Sequence, residues 1–139
     1  MIRIEIPTLP IPWAAPRLSR TGCVYDTRSK EKQWLRWHVK QLYKEDPIKG
    51  YVVLDFAFYF HVPASATKKK KALMLSGEII PTASDCTNLQ KLTEDCLKNI
   101  LFSDDRNVAK ISSQKLYGEK EKIIIKIWSL RDFRNETSC

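Results

Sequence analysis

Five carboxylates and a lysine crowd into residues 81–110, PTASDCTNLQKLTEDCLKNILFSDDRNVAK. Asp85, Glu94, Asp95, Asp104 and Asp105 surround Lys91, in a chain whose formal net charge is +8. Between residues 85 and 105 only Lys91 and Lys98 oppose the five acids. Residues 1–80, by contrast, carry 14 Lys/Arg against 7 Asp/Glu. A basic envelope attracts polyanions, and an acidic centre repels the same phosphates unless a divalent cation lies between them. The combination suits a phosphodiester with Mg²⁺. A pI near 9.4 also serves plain solubility, so charge alone leaves that reading open.

The elements that must position these groups read as a small α+β domain. Residues 2–6 form a short strand with Ile2, Ile4 and Ile6 on one face. Pro7, Pro10, Pro12 and Pro16 then forbid regular structure. Asp26 or Thr27 caps a helix that runs to Tyr43, with Trp34, Leu35, Val39 and Leu42 as its apolar stripe. Residues 51–62 are the clearest strand, placing Val52, Leu54, Phe56, Phe58, Phe60 and Val62 on one side. Residues 65–75 suit a short helix opened by Thr67. Its run Lys68, Lys69, Lys70 and Lys71 is either a mobile phosphate grip or a solvated loop.

The acidic segment itself has helical period over 88–100. Leu89, Leu92, Thr93, Cys96, Leu97 and Ile100 share one side, and every charged group lies on the other. Thr87 and Gln90 have the spacing of a capping box. Residues 108–117 and 122–128 read as a terminal hairpin turned at Gly118, with Ile123, Ile125 and Ile127 inward. Residues 1–130 thus make one domain, and the polar tail 131–139 is expected to fray.

Other classes are disfavoured. Nothing approaches the ~18 consecutive apolar residues of a membrane span, and the N-terminus lacks the pattern of a signal peptide. Cys23, Cys86, Cys96 and Cys139 have no paired spacing, so reduced thiols in the cytoplasm are expected. His38 and His61 are too separated for a metal or triad site. The four glycines make no phosphate loop, which counts against a phosphotransferase acting on small nucleotides.

The motif Asp85-Cys86-Thr87-Asn88-Leu89-Gln90-Lys91, followed by Asp95, by Asp104-Asp105 and Val108, and then by Lys115, resembles the RusA-type Holliday-junction resolvases. The resemblance is strong over residues 80–128. It implies a small homodimeric endonuclease, often carried by prophages, that cuts four-way DNA junctions with paired symmetric nicks in recombination and repair. It implies Mg²⁺ as cofactor, with Mn²⁺ as a substitute, and no organic cofactor. By the resemblance, Asp85 and Asp105 hold the metal and are catalytic together with Lys91, which faces the phosphate. Thr87, Glu94 and Asp104 are further candidate ligands. Arg17, Lys68, Lys69, Lys70, Lys71 and Lys115 are candidate DNA contacts.

Thr87 departs from the family pattern, in which many members have a second Asp. A threonine hydroxyl also ligates Mg²⁺, and Glu94 could restore the charge. The competing reading is a non-catalytic, phage-derived DNA-binding protein whose metal site is blunted at Thr87. Lys91 has a plain alternative as well, an i,i+4 ion pair with Asp95.

Overall fold

The computed structural model describes residues 1–137. A four-stranded mixed sheet has the order β1-β6-β4-β5, from β1 (Ile2–Ile6), β4 (Val52–His61), β5 (Val108–Gly118) and β6 (Lys122–Ser129). Two-residue strands β2 (Arg17–Leu18) and β3 (Val24–Tyr25) form a separate minimal hairpin after the proline loop. Helices α1 (Ser29–Leu42) and α3 (Cys86–Leu97) cover one face of the sheet, α2 (Lys68–Leu75) packs against β5, and α4 (Leu130–Thr137) follows β6. The α+β reading holds.

The hairpin expected at Gly118 does not form. β4 pairs in parallel with β5 and antiparallel with β6, so it lies between the two strands that are neighbours in sequence. The cause is burial. Val52, Val53, Leu54, Phe56, Ala57 and Phe58 are all buried, which makes β4 apolar on both faces and fit only for an interior position. β5 carries Lys110, Ser112, Gln114 and Lys115 and tolerates an edge. Three residues, Glu119 to Glu121, cross the gap of about two strand spacings, ~10 Å. The inward isoleucines are as expected, with Ile123, Ile125 and Ile127 fully buried.

Helix α1 corrects the apolar stripe read from sequence. Leu35 and Val39 are buried, but Trp34 is 42% and Leu42 54% exposed. Trp34 instead lies 4.7 Å from the His38 ring. The cap residue is Arg28 rather than Asp26 or Thr27. Asp26 still organises the start, because its carboxylate accepts from Arg28 N–H at 2.8 Å and from Lys32 Nζ at 2.9 Å. Those bonds hold it below the usual carboxylate range.

The tail is also ordered through residue 137. Ser129 Oγ accepts from Asp132 N–H to start α4, Trp128 Nε1 donates to Glu136 at 2.7 Å, and Phe133 packs edge-on against Trp128. Ser138 and Cys139, the end of the expected tail, lie outside the described residues. The three described cysteines are free thiols, and burial pushes Cys96 up to about 12. Among the described residues no helix is long and apolar enough to cross a membrane.

If β4 nucleates the core, truncating its centre should be costly. Phe56→Ala is expected to lower unfolding free energy by about 3–5 kcal/mol, the range for a buried aromatic. Urea denaturation checks it, as a lower midpoint with an unchanged slope. A loss below about 1 kcal/mol would contradict the central role of this strand.

Candidate active site

Leu89, Leu92, Cys96 and Leu97 hold α3 against the core, turning its polar side outward beside the β5 edge. The residue facing Phe56 on β5 is Ser113, whose hydroxyl donates to Gln90 Oε1 at 2.8 Å and lies 3.2 Å from Cys86 Sγ. Gln90 is therefore spent on β5, and Thr87 lies inside the helix. The expected Thr87–Gln90 capping box is absent.

Asp85 occupies the cap position, yet its carboxylate makes no capping bond. It is exposed, and among the described residues its one side-chain hydrogen bond is from Asn88 Nδ2, at 3.5 Å. An uncommitted carboxylate remains able to take a cation. Lys115 braces this corner: its Nζ donates to Ser84 O at 2.9 Å, immediately before Asp85. The residue expected to touch DNA thus spends its ammonium on backbone here.

Lys91 makes no ion pair with Asp95. Its Nζ lies over the Trp13 ring, 3.6 Å from the centroid. Trp13 N–H in turn donates to Asn88 O at 2.8 Å, which ties the proline loop to α3. This contact, worth roughly 0.5–2 kcal/mol, fixes the direction of an otherwise flexible exposed side chain. Sequence reasoning missed Trp13; the signal was a lone tryptophan inside a loop whose prolines leave it few conformations.

The acids divide into two roles. Asp104 caps the 3₁₀ turn Asp105–Asn107, accepting from Arg106 N–H at 3.0 Å and pairing with the Arg106 guanidinium at 3.3 Å. Those bonds hold it below the usual range. Asp105 is exposed, its side chain makes no hydrogen bond among the described residues, and its charge reaches α3. Glu94 is pushed up by burial, then by Asp105 and Asp95. Asp95 is pushed up chiefly by burial and further by Asp105, against the pull of Lys32, Lys91 and Lys98.

Glu94 follows Asp85 by nine residues, ~13.5 Å along the axis at 1.5 Å per residue. At ~100° per residue the two positions are half a turn apart, and Asp85 is not among the charges that raise Glu94; exposed Lys91 lies between them in sequence. Among the described residues no three His, Cys, Asp or Glu side chains are arranged to hold a metal ion. Mg²⁺ asks for less, since it commonly takes one or two carboxylates and fills its sphere with water and substrate phosphate. Clustered, partly buried acids that repel one another suit such an ion.

Arg36 closes the far end of α3. One guanidinium nitrogen donates to the carbonyls of Asp95, Cys96 and Lys98 at 3.4, 3.2 and 3.0 Å. A cation there satisfies orphan carbonyls and the negative helix end together. The lysine run is helical rather than a loop: Thr67 Oγ1 caps α2 by accepting from Lys70 N–H. Lys68, Lys69 and Lys70 are exposed, and Lys71 turns toward a cleft with His61 and Glu119. Arg17 is exposed on β2.

The family model for Endodeoxyribonuclease RusA matches residues 7–128, which takes in β4, β5 and all but the last residue of β6 but not β1, and every acid of the polar strip. The chain belongs to the RusA endodeoxyribonuclease family. The match begins in the proline loop, so Trp13 and the N-terminal half fall within the family region, beyond the strong resemblance of residues 80–128. No curated protein matches the chain.

Glu94 gives a pH signature. Its folded pKa is raised from an ordinary 4.5, so the fold prefers the protonated acid. The penalty appears as pH rises through the unfolded value and is complete above the folded one. In chelator, Glu94→Gln should therefore melt higher than the parent at pH 7, and the two should converge below about pH 4. Thermal midpoints across pH check this; a lower melting point for Glu94→Gln at pH 7 would show Glu94 to be a net stabiliser.

Proposed function

We propose that this chain is a divalent-metal-dependent endonuclease that resolves four-way DNA junctions in recombination and repair. Mg²⁺ is the expected ion, with Mn²⁺ able to replace it. The observation that carries the proposal is the polar side of α3. An uncommitted Asp85, a lysine aimed by Trp13, and acids under the field of Asp105 lie along one helix beside an open sheet edge.

When bound, the cation lowers the pKa of the attacking water and neutralises charge on the transferring phosphate. Asp85 and Asp105 are the residues assigned to hold it, with Thr87 and Glu94 as secondary contacts. Asp104, committed to Arg106, keeps Asp105 turned outward. Lys91 supplies positive charge to the phosphate in the transition state. Trp13 holds that ammonium in place before substrate arrives, so less ordering is needed on binding.

One active site per chain cannot make two symmetric cuts, so a two-fold homodimer is the economical assembly. Lys68, Lys69 and Lys70 on α2, with Arg17, offer backbone contacts around the branch, since ammonium groups read charge rather than sequence. Free thiols and a basic surface suit action in the cytoplasm, on phage or host DNA. A second reading has one observation in its favour: among the described residues no three acids are arranged to hold a metal ion. It is a DNA-binding protein blunted at Thr87.

Nicking of a labelled four-way junction, with and without Mg²⁺, separates the two. Asp85→Asn and Asp105→Asn should each abolish cutting while junction binding stays equal or tightens, because removing negative charge cannot weaken phosphate attraction. Cutting at the parental rate in both variants would sink the metal assignment. A metal-independent loss of binding would make these residues structural.

Lys91→Ala should depress the rate at saturating DNA on the order of 10²-fold, the scale for one preorganised donor, with affinity little changed. Trp13→Ala should lower the rate less and leave Mg²⁺ dependence alone. An effect of Lys91→Ala confined to affinity would reduce it to a phosphate contact.

A further inference from the structure

A cleft of about 410 Å³ opens where α4 meets the chain entering β4. Lys49, Arg131 and Arg134 line it, together with Tyr51, Ser129, Leu130 and Asn135, and among the described residues no carboxylate does. None of the three cations makes an ion pair among the described residues, whereas five pairs form elsewhere on the surface. The cleft is built rather than incidental. Leu130 N–H donates to Tyr51 O at 2.9 Å, and Ser129 Oγ starts the helix, so the two walls are hydrogen-bonded to each other and to β6.

Arg131 stands in the first turn of α4, where the helix dipole disfavours a cation. Arg134, one turn on, faces the same cleft. Three cations in one concavity, without an ion pair among the described residues and beside a helix N-terminus, repel one another and are relieved by an anion. Two arginines favour phosphate, whose oxygens match the planar guanidinium fork.

Its place in the sheet says which phosphate. Val108, into which the Asp105 turn leads, pairs with Val52, and Val52 pairs with Ser129 on its other side. Asp105 and the cleft therefore share one end of the sheet, with their strands two spacings apart, roughly 10 Å. One DNA strand carries a phosphate per ~3.4 Å of helix axis, so two sites at one end of a sheet this narrow are within reach of a single bound strand. Lys110, on β5 at this end, adds a further cation over the Phe133 ring of α4, at 5.1 Å.

We infer that the cleft between α4 and residues 49–51 is a second phosphate site, holding a backbone phosphate of bound DNA other than the one at the carboxylates. The inference takes DNA as ligand from the proposed function but does not depend on cleavage.

Binding of labelled duplex and four-way junction, measured by anisotropy in chelator across a salt series, tests it. Arg131→Ala/Arg134→Ala should weaken both complexes and flatten the plot of log affinity against log salt by ~0.9 for each phosphate no longer neutralised. Arg131→Lys/Arg134→Lys should recover most of the slope. Should the Ala pair fail to fold, Lys49→Ala on the opposite wall carries the same expectation for a single phosphate. A parental slope in folded variants overturns the inference, as does a parent that binds no DNA.

Inorganic phosphate titrated against the chain, followed by amide NMR at Ser129–Arg134, separates the sources of the anion. Shifts that vanish in the Ala pair, alongside the flattened slope, support a backbone site. Shifts with an unchanged slope assign the cleft to a free phosphate compound and overturn the DNA assignment. The expected slope change in a chain that never cuts would remove the nuclease proposal and leave this one standing.

Discussion

A strand that is apolar on both faces has to lie inside a sheet, and the rest of this molecule follows from the burial of β4. One face packs Leu54, Phe56 and Phe58 beneath α1 and α3; the other buries Val53 and Ala57. With β4 in the interior, β5 is left at the edge and β6 is pushed to its other side. The edge then sets the chemistry. Ser113 and Lys115 occupy positions on the helix-covered face that an interior strand would fill with apolar groups. They bind the start of α3 instead, through Gln90 and Ser84.

That arrangement explains how an acidic strip survives in a basic protein. Buried leucines anchor α3 from below, and Arg36 draws on its last carbonyls from the side. Neither contact consumes a carboxylate. Asp104 is consumed, and by capping its own turn it leaves Asp105 open to solvent. Lys91 is restrained by an aromatic face rather than by a direct ion pair, so its ammonium is not tied to a carboxylate. The site keeps both signs of charge apart and available.

Much of this was legible in the sequence. The period-two run of β4 and the helical period of 88–100 rest on burial, which a local pattern reports directly. The five acids and Lys91 were visible as composition, and their family spacing as a motif. What escaped were choices between local and long-range partners. Residues 108–128 carry a good hairpin pattern, but local pattern cannot show that β4 competes for both strands. Thr87 and Gln90 had the spacing of a capping box, yet Gln90 found Ser113 across the edge. Trp34 and Leu42 fit a stripe, but a 14-residue helix over a small sheet buries only a narrow seam. Residues 131–137 looked like a tail because what orders them is tertiary, above all the packing and hydrogen bond of Trp128.

The three-residue link between β5 and β6 also has a meaning in time. A ribosome releases β4 well before either strand, and the last two strands emerge together with a ready-made local alternative. Closing a short loop between them costs little chain entropy, whereas joining β4 to β5 must close the long crossover through α2 and α3. Fast local pairing therefore opposes the native arrangement, and the parallel pair is the slow, high-contact-order step. An α3 already docked on β4 holds the edge of that strand next to where β5 emerges. The helix that bears the acids would then also be the template that keeps the final two strands apart.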